Sequence, residues 1–119
     1  MPRGPRLDAP EVLQHVIARG IERGKIFIDS EDYQSFINRL GKVAKVTGTD
    51  VYAWVLLSNH FHLLLKTNNQ SLSSFMRRLL TGHAVTFNNR HRRSGHLFQN
   101  RYKSIVCQRE GTVPFFKCF

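Results

Sequence analysis

Two strand-like segments separated by three residues constrain the fold of this chain more than any other feature of its sequence. Val51–Leu57 is nearly continuous in apolar and β-favouring residues, which is typical of a central strand covered on both faces of a sheet. Ser58 and Asn59 are suited to a tight turn, and Phe61–Thr67 is predicted to be the returning strand. At least one antiparallel strand pair is therefore expected.

An amphipathic helix is predicted on each side of this hairpin. Asp29 or Ser30 can cap the first helix, whose apolar residues recur at helical spacing until Gly48 ends it. Ser71 can cap the second helix, whose apolar stripe continues to Phe87. The hairpin therefore lies between two helices that can cover one of its faces.

A short strand at each end completes the predicted order of elements. Leu13–Ile17 is an apolar stretch that carries His15 on one face, and Tyr102–Gln108 is rich in β-branched residues. The resulting order β-α-β-β-α-β predicts an α+β fold, in which an antiparallel sheet carries both helices on one face.

The distribution of charge indicates the kind of partner. The chain holds 18 Lys and Arg against 8 Asp and Glu, which gives a formal net charge of +10. Residues 51–109 contain 9 basic side chains and neither Asp nor Glu. A stretch of this length without an acid is typical of a surface that faces a polyanion, and nucleic acid is the natural candidate.

Targeting signals are not evident in the sequence. No apolar run approaches the length of a membrane span, and the N-terminus lacks the apolar core of a signal peptide. Cys107 and Cys118 have no ligand spacing around them, which favours reduced thiols. We therefore expect a cytoplasmic protein that does not partner a membrane and that associates with the nucleoid when it binds DNA.

The most specific local pattern is His60-Phe61-His62 at the start of the returning strand. Residues two apart on a strand project from the same face, so the two imidazoles should stand side by side while Phe61 faces the core. Such a pair can bind one divalent ion, or it can divide the roles of general acid and general base. Mg²⁺ or Mn²⁺ would need further ligands, for which amides, water and the DNA itself are candidates.

Three segments together resemble the HUH single-tyrosine transposases, which include the REP-associated tyrosine transposases and the IS200-like transposases. His60-Phe61-His62 resembles the HUH motif of that family (His, hydrophobic, His), and His15–Gly20 is similar to its first strand and the Arg-Gly that follows. Ser94–Ser104 is similar to its Gly-His-Leu-Phe-Gln segment and the basic residues beyond it. The three matches occur in the family's order.

The resemblance implies a fold, a cofactor and a reaction. The fold would be the ferredoxin-like HUH fold, and His60 and His62 would hold a divalent metal, Mg²⁺ or Mn²⁺. In the reaction, a tyrosine hydroxyl attacks a phosphodiester of single-stranded or hairpin DNA, becomes linked to the 5′ phosphate and releases a 3′ hydroxyl. The function implied is DNA transposition by a nicking and rejoining enzyme.

The family's nucleophile lies on a helix beyond the last strand, and this sequence departs from the pattern there. No tyrosine follows Tyr102, and Pro114 opposes a helix at that point. We expect a transposase domain at residues 1–111, an unrelated tail at 112–119, and a chain truncated before the catalytic helix and defective in nicking. Tyr102 is the alternative nucleophile, although the resemblance assigns it to the last strand as a structural or DNA-contacting residue.

Basic residues around the last loop are the predicted contacts to phosphate, because Lys and Arg supply the electrostatic part of nucleic-acid binding. The full set of predicted DNA-binding residues is Arg19, Arg23, Arg90, Arg92, Arg93, Arg101 and Lys103.

Two other functions fit the same residues. The chain could bind hairpin DNA without chemistry, as a remnant that competes with intact copies. It could also be a metal-independent ribonuclease that uses His60 and His62 as acid and base. In either case, a missing last helix would expose apolar surface of the sheet, which predicts a homodimer.

Overall fold

The computed structural model describes residues 12–99, 101–109 and 116–118. Within these ranges the chain forms one sheet, two α-helices and a short 3-10 turn. In chain order the elements are β1 (Leu13–Arg19), the 3-10 turn (Ile21–Arg23), α1 (Ser30–Thr47), β2 (Asp50–Leu57), β3 (His60–Lys66), α2 (Leu72–Arg90), β4 (Lys103–Arg109) and β5 (Phe116–Cys118).

The sheet is antiparallel and has the strand order β2-β3-β1-β4-β5. β1 lies in the middle of the sheet between β3 and β4, so the first and fourth strands of the chain are neighbours. The first four strands and the two helices have the β-α-β-β-α-β order of the ferredoxin-like fold. The α+β fold predicted from the sequence is therefore confirmed.

Alternation along β3 separates a core face of the sheet from an open face. Phe61, Leu63 and Leu65 are buried, whereas His60 and His62 are only partly buried. Both helices pack on the core face. The residues that close the core there include Val16, Phe36, Leu40, Phe61, Leu63, Phe75, Met76 and Leu79. A one-residue change of register would exchange these two faces, so the core fixes which way the histidines point.

Both helices begin where the sequence predicts, and α1 also ends there, whereas α2 continues past the predicted Phe87 to Arg90. The Asp29 carboxylate accepts a hydrogen bond from the backbone N–H of Asp32 at 3.0 Å and caps α1. Gly48 follows α1 in the left-handed conformation, with φ 68°, which a residue with a side chain adopts less readily. Ser71 Oγ accepts from the N–H of Ser74 at 3.2 Å and caps α2. Local capping chemistry therefore sets the start of both helices and the end of α1.

The expectation that Val51–Leu57 is a central, buried strand is wrong. β2 is an edge strand of the sheet, and a β-bulge interrupts its pairing between Val51 and Ala53. Tyr52 is 56% exposed and Trp54 is 47% exposed. A run of apolar β-formers predicts a strand but carries no information about how many neighbours that strand will have.

The C-terminal residues that the structure describes form an additional edge strand. β5 pairs with β4, and Cys107 lies directly opposite Cys118 in this ladder. Cys107 is disulfide-bonded, so the expectation of reduced thiols is wrong for this residue. The predicted boundary between residues 111 and 112 lies outside the described residues.

Neither helix in the described part of the chain is both long enough and apolar enough to span a bilayer.

Candidate metal and nucleic-acid site

The open face of β3 brings His60 and His62 together, as the alternation of the strand predicts. The centroids of the two rings are 5.1 Å apart, and both side chains are partly buried. The core residues Phe61 and Leu63 hold the strand in this register. Two imidazoles at this spacing lie on a rigid strand rather than on a loop, which favours a preorganised site.

A hydrogen bond to Asn59 sets the tautomer of His60. His60 Nδ1 lies 2.8 Å from Asn59 Oδ1. Because an amide oxygen only accepts hydrogen bonds, Nδ1 of the imidazole carries the proton. In the neutral ring this tautomer leaves the lone pair on Nε2, which is the form that a metal ligand requires.

His15 on β1 is a third histidine on the same face, and sequence reasoning missed its role. Ile17 pairs with His62 and His15 pairs with Leu64, so His15 lies diagonally across from His62. His15 Nε2 is 3.0 Å from His62 Nδ1. The sequence contains no local signal for this contact, because it depends on the register between two strands that are 47 residues apart.

The surroundings of His62 favour its neutral form. Burial lowers the pKa of His62, and the positive charge that His15, His60 and Arg19 can carry lowers it further. A neutral imidazole is the form that binds a metal ion. Two neutral imidazoles on one face are chemically suited to a divalent cation.

A cluster of three potential ligands lies elsewhere, at the junction of the two helices. Among the residues that the structure describes, ligand atoms of Asp29, Asp32 and His91 are the only group of three His, Cys, Asp or Glu atoms within 4.8 Å of one another. Arg90 already pairs with both carboxylates, and His91 Nε2 lies 2.8 Å from Asp32. This cluster is an ion-pair network that joins the start of α1 to the end of α2.

The network shifts both carboxyl groups toward the ionised form. Hydrogen bonds from Arg90 and from the backbone N–H of Asp32 lower the pKa of Asp29 to about 2. Burial raises the pKa of Asp32, but hydrogen bonds from the Ile28 N–H, His91 and Arg90 outweigh burial and leave it lowered. Arg90 was predicted to contact phosphate, and its guanidinium is instead committed to three carboxylates, the third being Glu31.

Three of the predicted DNA-binding residues converge beside the histidine pair. Arg19, Arg101 and Lys103 line a cleft of about 110 Å³ together with Ile17 and Gln99. Arg19 pairs with His60 across β1 and β3, and Ile17 pairs with both His62 and Lys103. The cleft and the histidines therefore occupy adjoining parts of one surface.

The other predicted contacts do not join this cleft. Arg23 and Arg92 are exposed and have positive φ angles of 60° and 50°. Arg93 donates hydrogen bonds to Asn88 Oδ1 at 3.0 Å and to the His96 carbonyl at 2.7 Å, which closes the loop after α2. Arg93 therefore holds the loop together, whereas the other two have side chains directed into solvent.

Each of the three tyrosines lies away from the histidine pair. Tyr102 packs against the core, and its hydroxyl is 3.4 Å from Ser73 Oγ, on the helix side of the sheet. Tyr33 packs against Phe27 and the core. Tyr52 is five positions along β2 from Leu57, the residue opposite His60, which is a separation of about 16 Å.

The helix side of the molecule carries a second basic surface that sequence reasoning missed. A groove of about 470 Å³ between α1 and α2 is lined by Arg39, Lys42, Arg77 and Arg78, with Val43, Val46, Thr81 and Gly82. Arg39 lies close against α2, where a Cβ on Gly82 would be 2.5 Å from its Nη1 atom. The four cations come from both helices, so only the packing of α1 on α2 brings them together.

Comparison with known proteins gives a family and a fold. The family model described as IS200-like transposase matches residues 9–116. The structure is similar to that of a REP-associated tyrosine transposase bound to a REP hairpin, with a TM-score of 0.70 and 17% identity, over 92% of this chain and 64% of that one. This chain thus spans less than two thirds of that protein's length.

A proposed transposase from Deinococcus radiodurans R1 is also similar, with a TM-score of 0.64 and 19% identity, over 86% of this chain and 83% of that one. A search of curated proteins finds no match to this sequence.

Proposed function

Because this chain belongs to the IS200-like transposase family, whose members act in DNA transposition, we propose that it binds single-stranded or hairpin DNA on the open face of its sheet with a divalent metal at His60 and His62. The observation that supports this proposal is the position of the basic cleft beside the histidine pair, since cleft residues Arg19 and Ile17 are the register partners of His60 and His62. A phosphodiester in the cleft would lie beside both imidazoles, where Arg19, Arg101 and Lys103 can offset its charge.

The residues of the chain have distinct roles in this proposal. His60 and His62 would hold the cation through Nε2, and Mg²⁺ or Mn²⁺ would polarise a phosphate oxygen when bound. Arg19 and Arg101 would orient the phosphate, since a guanidinium can donate two parallel hydrogen bonds to it. Gln99 lines the same cleft and can donate to a sugar or a base.

Covalent attachment is not part of the proposal for this chain. Tyrosine transesterification needs a hydroxyl beside the metal, and none of Tyr33, Tyr52 and Tyr102 lies there. The function that we propose for these residues is recognition of single-stranded or hairpin DNA. The REP-associated tyrosine transposase with a similar fold is bound to a REP hairpin, which supports a hairpin as the ligand.

The test is a pair of gel assays with labelled hairpin-bearing single-stranded DNA and Mn²⁺. We expect a salt-sensitive shift in a native gel and no slow-migrating covalent band in a denaturing gel. His60→Ala/His62→Ala should lose Mn²⁺ binding. A covalent band from the wild-type chain would contradict the proposed lack of a nucleophile, and cleavage of RNA that persists in EDTA would favour a ribonuclease instead.

The cleft is tested by the salt dependence of binding. Removing three phosphate contacts from a single-strand complex should reduce the slope of log K against log salt by about 2. Arg19→Gln/Arg101→Gln/Lys103→Gln should therefore bind more weakly and with a smaller slope. Lys45→Gln, which removes an exposed charge from α1, is the control and should leave the slope unchanged.

A further inference from the structure

We propose that His15 is a positioning residue for the metal site, because it accepts a hydrogen bond from Nδ1 of His62 and so leaves Nε2 of His62 free to bind a divalent cation. This inference rests on the proposed function, in which His60 and His62 hold that cation. It adds a residue from β1 to a site whose ligands lie on β3.

The geometry of the two rings is that of an in-plane hydrogen bond. His15 Nε2 and His62 Nδ1 are 3.0 Å apart. The ring planes differ by only 19° and the centroids are 5.2 Å apart, which is close to the N···N distance plus the two centroid-to-nitrogen radii. With the two nitrogens 3.0 Å apart, rings that overlapped face to face would bring their centroids much closer than 5.2 Å. The contact is therefore directional, with one proton shared between two nitrogens.

Direct coordination by His15 does not fit the same geometry. If His15 were a third ligand, its nitrogen would join those of His60 and His62 around a common point. Among the described residues, no three nitrogens of these histidines lie within 4.8 Å of one another. The Nε2 lone pair of His15 is directed at His62 instead, which is the arrangement of a residue that orients a ligand.

The two metal-binding histidines then have matching supports. Asn59 Oδ1 accepts from Nδ1 of His60 at 2.8 Å, and His15 Nε2 accepts from Nδ1 of His62 at 3.0 Å. In both cases the acceptor fixes the ring and leaves Nε2 without a proton. One support comes from the hairpin turn and the other from the neighbouring strand, so the β1–β3 register is part of the site.

The first experiment measures Mn²⁺ binding to the full chain by titration calorimetry. His15→Phe keeps a ring of similar size but removes the acceptor, and we expect the affinity for Mn²⁺ to fall about 10- to 100-fold. His15→Gln supplies an amide oxygen as acceptor and should recover most of the affinity. His96→Phe, a change at an exposed histidine in the loop after α2, is the matched control and should bind like wild type.

The second experiment reads the tautomer of His62 without metal, from long-range ¹H–¹⁵N correlations of the imidazole rings. We expect the proton on Nδ1 in the wild-type chain and in His15→Gln, and a shift toward the Nε2-protonated form in His15→Phe. A role of His15 in folding alone would change thermal stability but would not move the proton between the nitrogens of His62.

The outcomes separate the two proposals. A wild-type chain that binds no Mn²⁺ overturns the metal site itself. A wild-type chain that binds Mn²⁺, together with a folded His15→Phe chain of equal affinity and unchanged tautomer, overturns the role of His15 alone. If His15→Phe does not fold, the ¹H–¹⁵N spectrum of the wild-type chain still tests the proposal. A proton on Nε2 of His62 in that spectrum would contradict it.

Discussion

At the scale of single residues, His83 is the clearest case of a polar group whose state depends on the fold. It is 1% exposed among Phe27, Phe36 and Phe87, and its Nε2 donates to the Ile26 carbonyl at 2.8 Å. Burial lowers the pKa of His83, and this effect exceeds the opposing effect of the hydrogen bond. The folded protein therefore holds His83 as a neutral side chain.

This burial predicts a loss of stability at mildly acidic pH. The unfolded chain binds a proton at His83 near pH 6.5, and the folded chain binds it only at lower pH. The free energy of unfolding should therefore be highest above pH 6.5 and should fall below it, by at most about 1.4 kcal/mol per pH unit for this group. His62 contributes in the same direction.

Urea unfolding between pH 5 and pH 8 measures this effect, and His83→Gln is the informative variant. Glutamine does not titrate and its amide can donate to Ile26, so the variant should depend less on pH below about 6.5 than the wild type. An equal dependence in both chains would assign the pH effect to other groups.

Arg90 tests whether a predicted DNA contact is structural. Its guanidinium joins Asp29 and Asp32 at the start of α1 to the end of α2, where charges of these signs also match the helix dipoles. Arg90→Gln leaves the buried Asp32 carboxylate with fewer partners, so we expect the thermal midpoint to fall by several degrees while DNA affinity changes little. Arg92→Gln removes an exposed charge, so it should lower DNA affinity and leave the thermal midpoint nearly unchanged.

Thermal unfolding and gel shifts at a temperature where both variants are folded separate these roles. A loss of DNA affinity in Arg90→Gln equal to that in Arg92→Gln would mean that Arg90 contacts phosphate despite its ion pairs.

At the scale of elements, the exposed edge of β2 predicts self-association. Tyr52, Trp54, Val55 and Leu57 are all at least 43% exposed on a strand with one unpaired side. Native edge strands are often protected by charge or by a bulge; β2 has a bulge near its start, between Val51 and Ala53, but its apolar residues from Trp54 to Leu57 lie beyond it and can pair with another copy. A homodimer was expected from the sequence on other grounds, and we predict that it forms through this edge.

A charge on the edge should weaken that association. We expect Tyr52→Lys to shift the protein toward the monomer in light scattering after size-exclusion chromatography. Val85→Lys adds the same charge at a residue that is 55% exposed on α2 and should leave the association unchanged. A wild-type chain that is monomeric over a wide concentration range would contradict the prediction.

Local sequence signals predicted where helices and strands lie better than they predicted which strands pair. The caps at Asp29 and Ser71 and the stop at Gly48 follow from contacts within a few residues, and all three were predicted. The alternation around Phe61 likewise predicted that His60 and His62 share a face. The edge position of β2 was not predictable, since it depends on which strands pair and not on the composition of any one strand.

In the candidate site too, features that depend on neighbouring residues were predictable, and features that depend on distant residues were not. The pair His60 and His62 is contained in three consecutive residues, whereas the contact of His15 with His62 needs the register of β1 against β3. Arg90 shares its stretch of sequence with other basic residues, but its partners lie 58 to 61 positions away. The local composition of a segment does not predict ion pairs with residues so far away in the sequence.

At the scale of the whole molecule, the basic residues form two surfaces on opposite sides of the sheet. The cleft with Arg19, Arg101 and Lys103 lies on the open face, and the groove with Arg77 and Arg78 lies between the helices. A short oligonucleotide can occupy only one of them at a time. We therefore expect two oligonucleotides to bind per chain at low salt, both through electrostatic contacts.

Titration calorimetry counts these sites. The cleft variant Arg19→Gln/Arg101→Gln/Lys103→Gln and the groove variant Lys42→Gln/Arg77→Gln/Arg78→Gln each remove three charges. Each should reduce the stoichiometry from two to one, and the effects should add because the two surfaces share no residue. If one oligonucleotide binds per wild-type chain, all binding occurs at a single surface. The variant that no longer binds DNA would then identify that surface.

The alternation of β3 has a consequence for how such a chain evolves. Phe61, Leu63 and Leu65 stabilise the fold from one face, while His60 and His62 occupy the other and add little to the core. A point mutation at either histidine can therefore change this open face and leave a folded protein, whereas a one-residue insertion in β3 would disrupt both faces together. Substitutions at these two positions can therefore accumulate without loss of the fold.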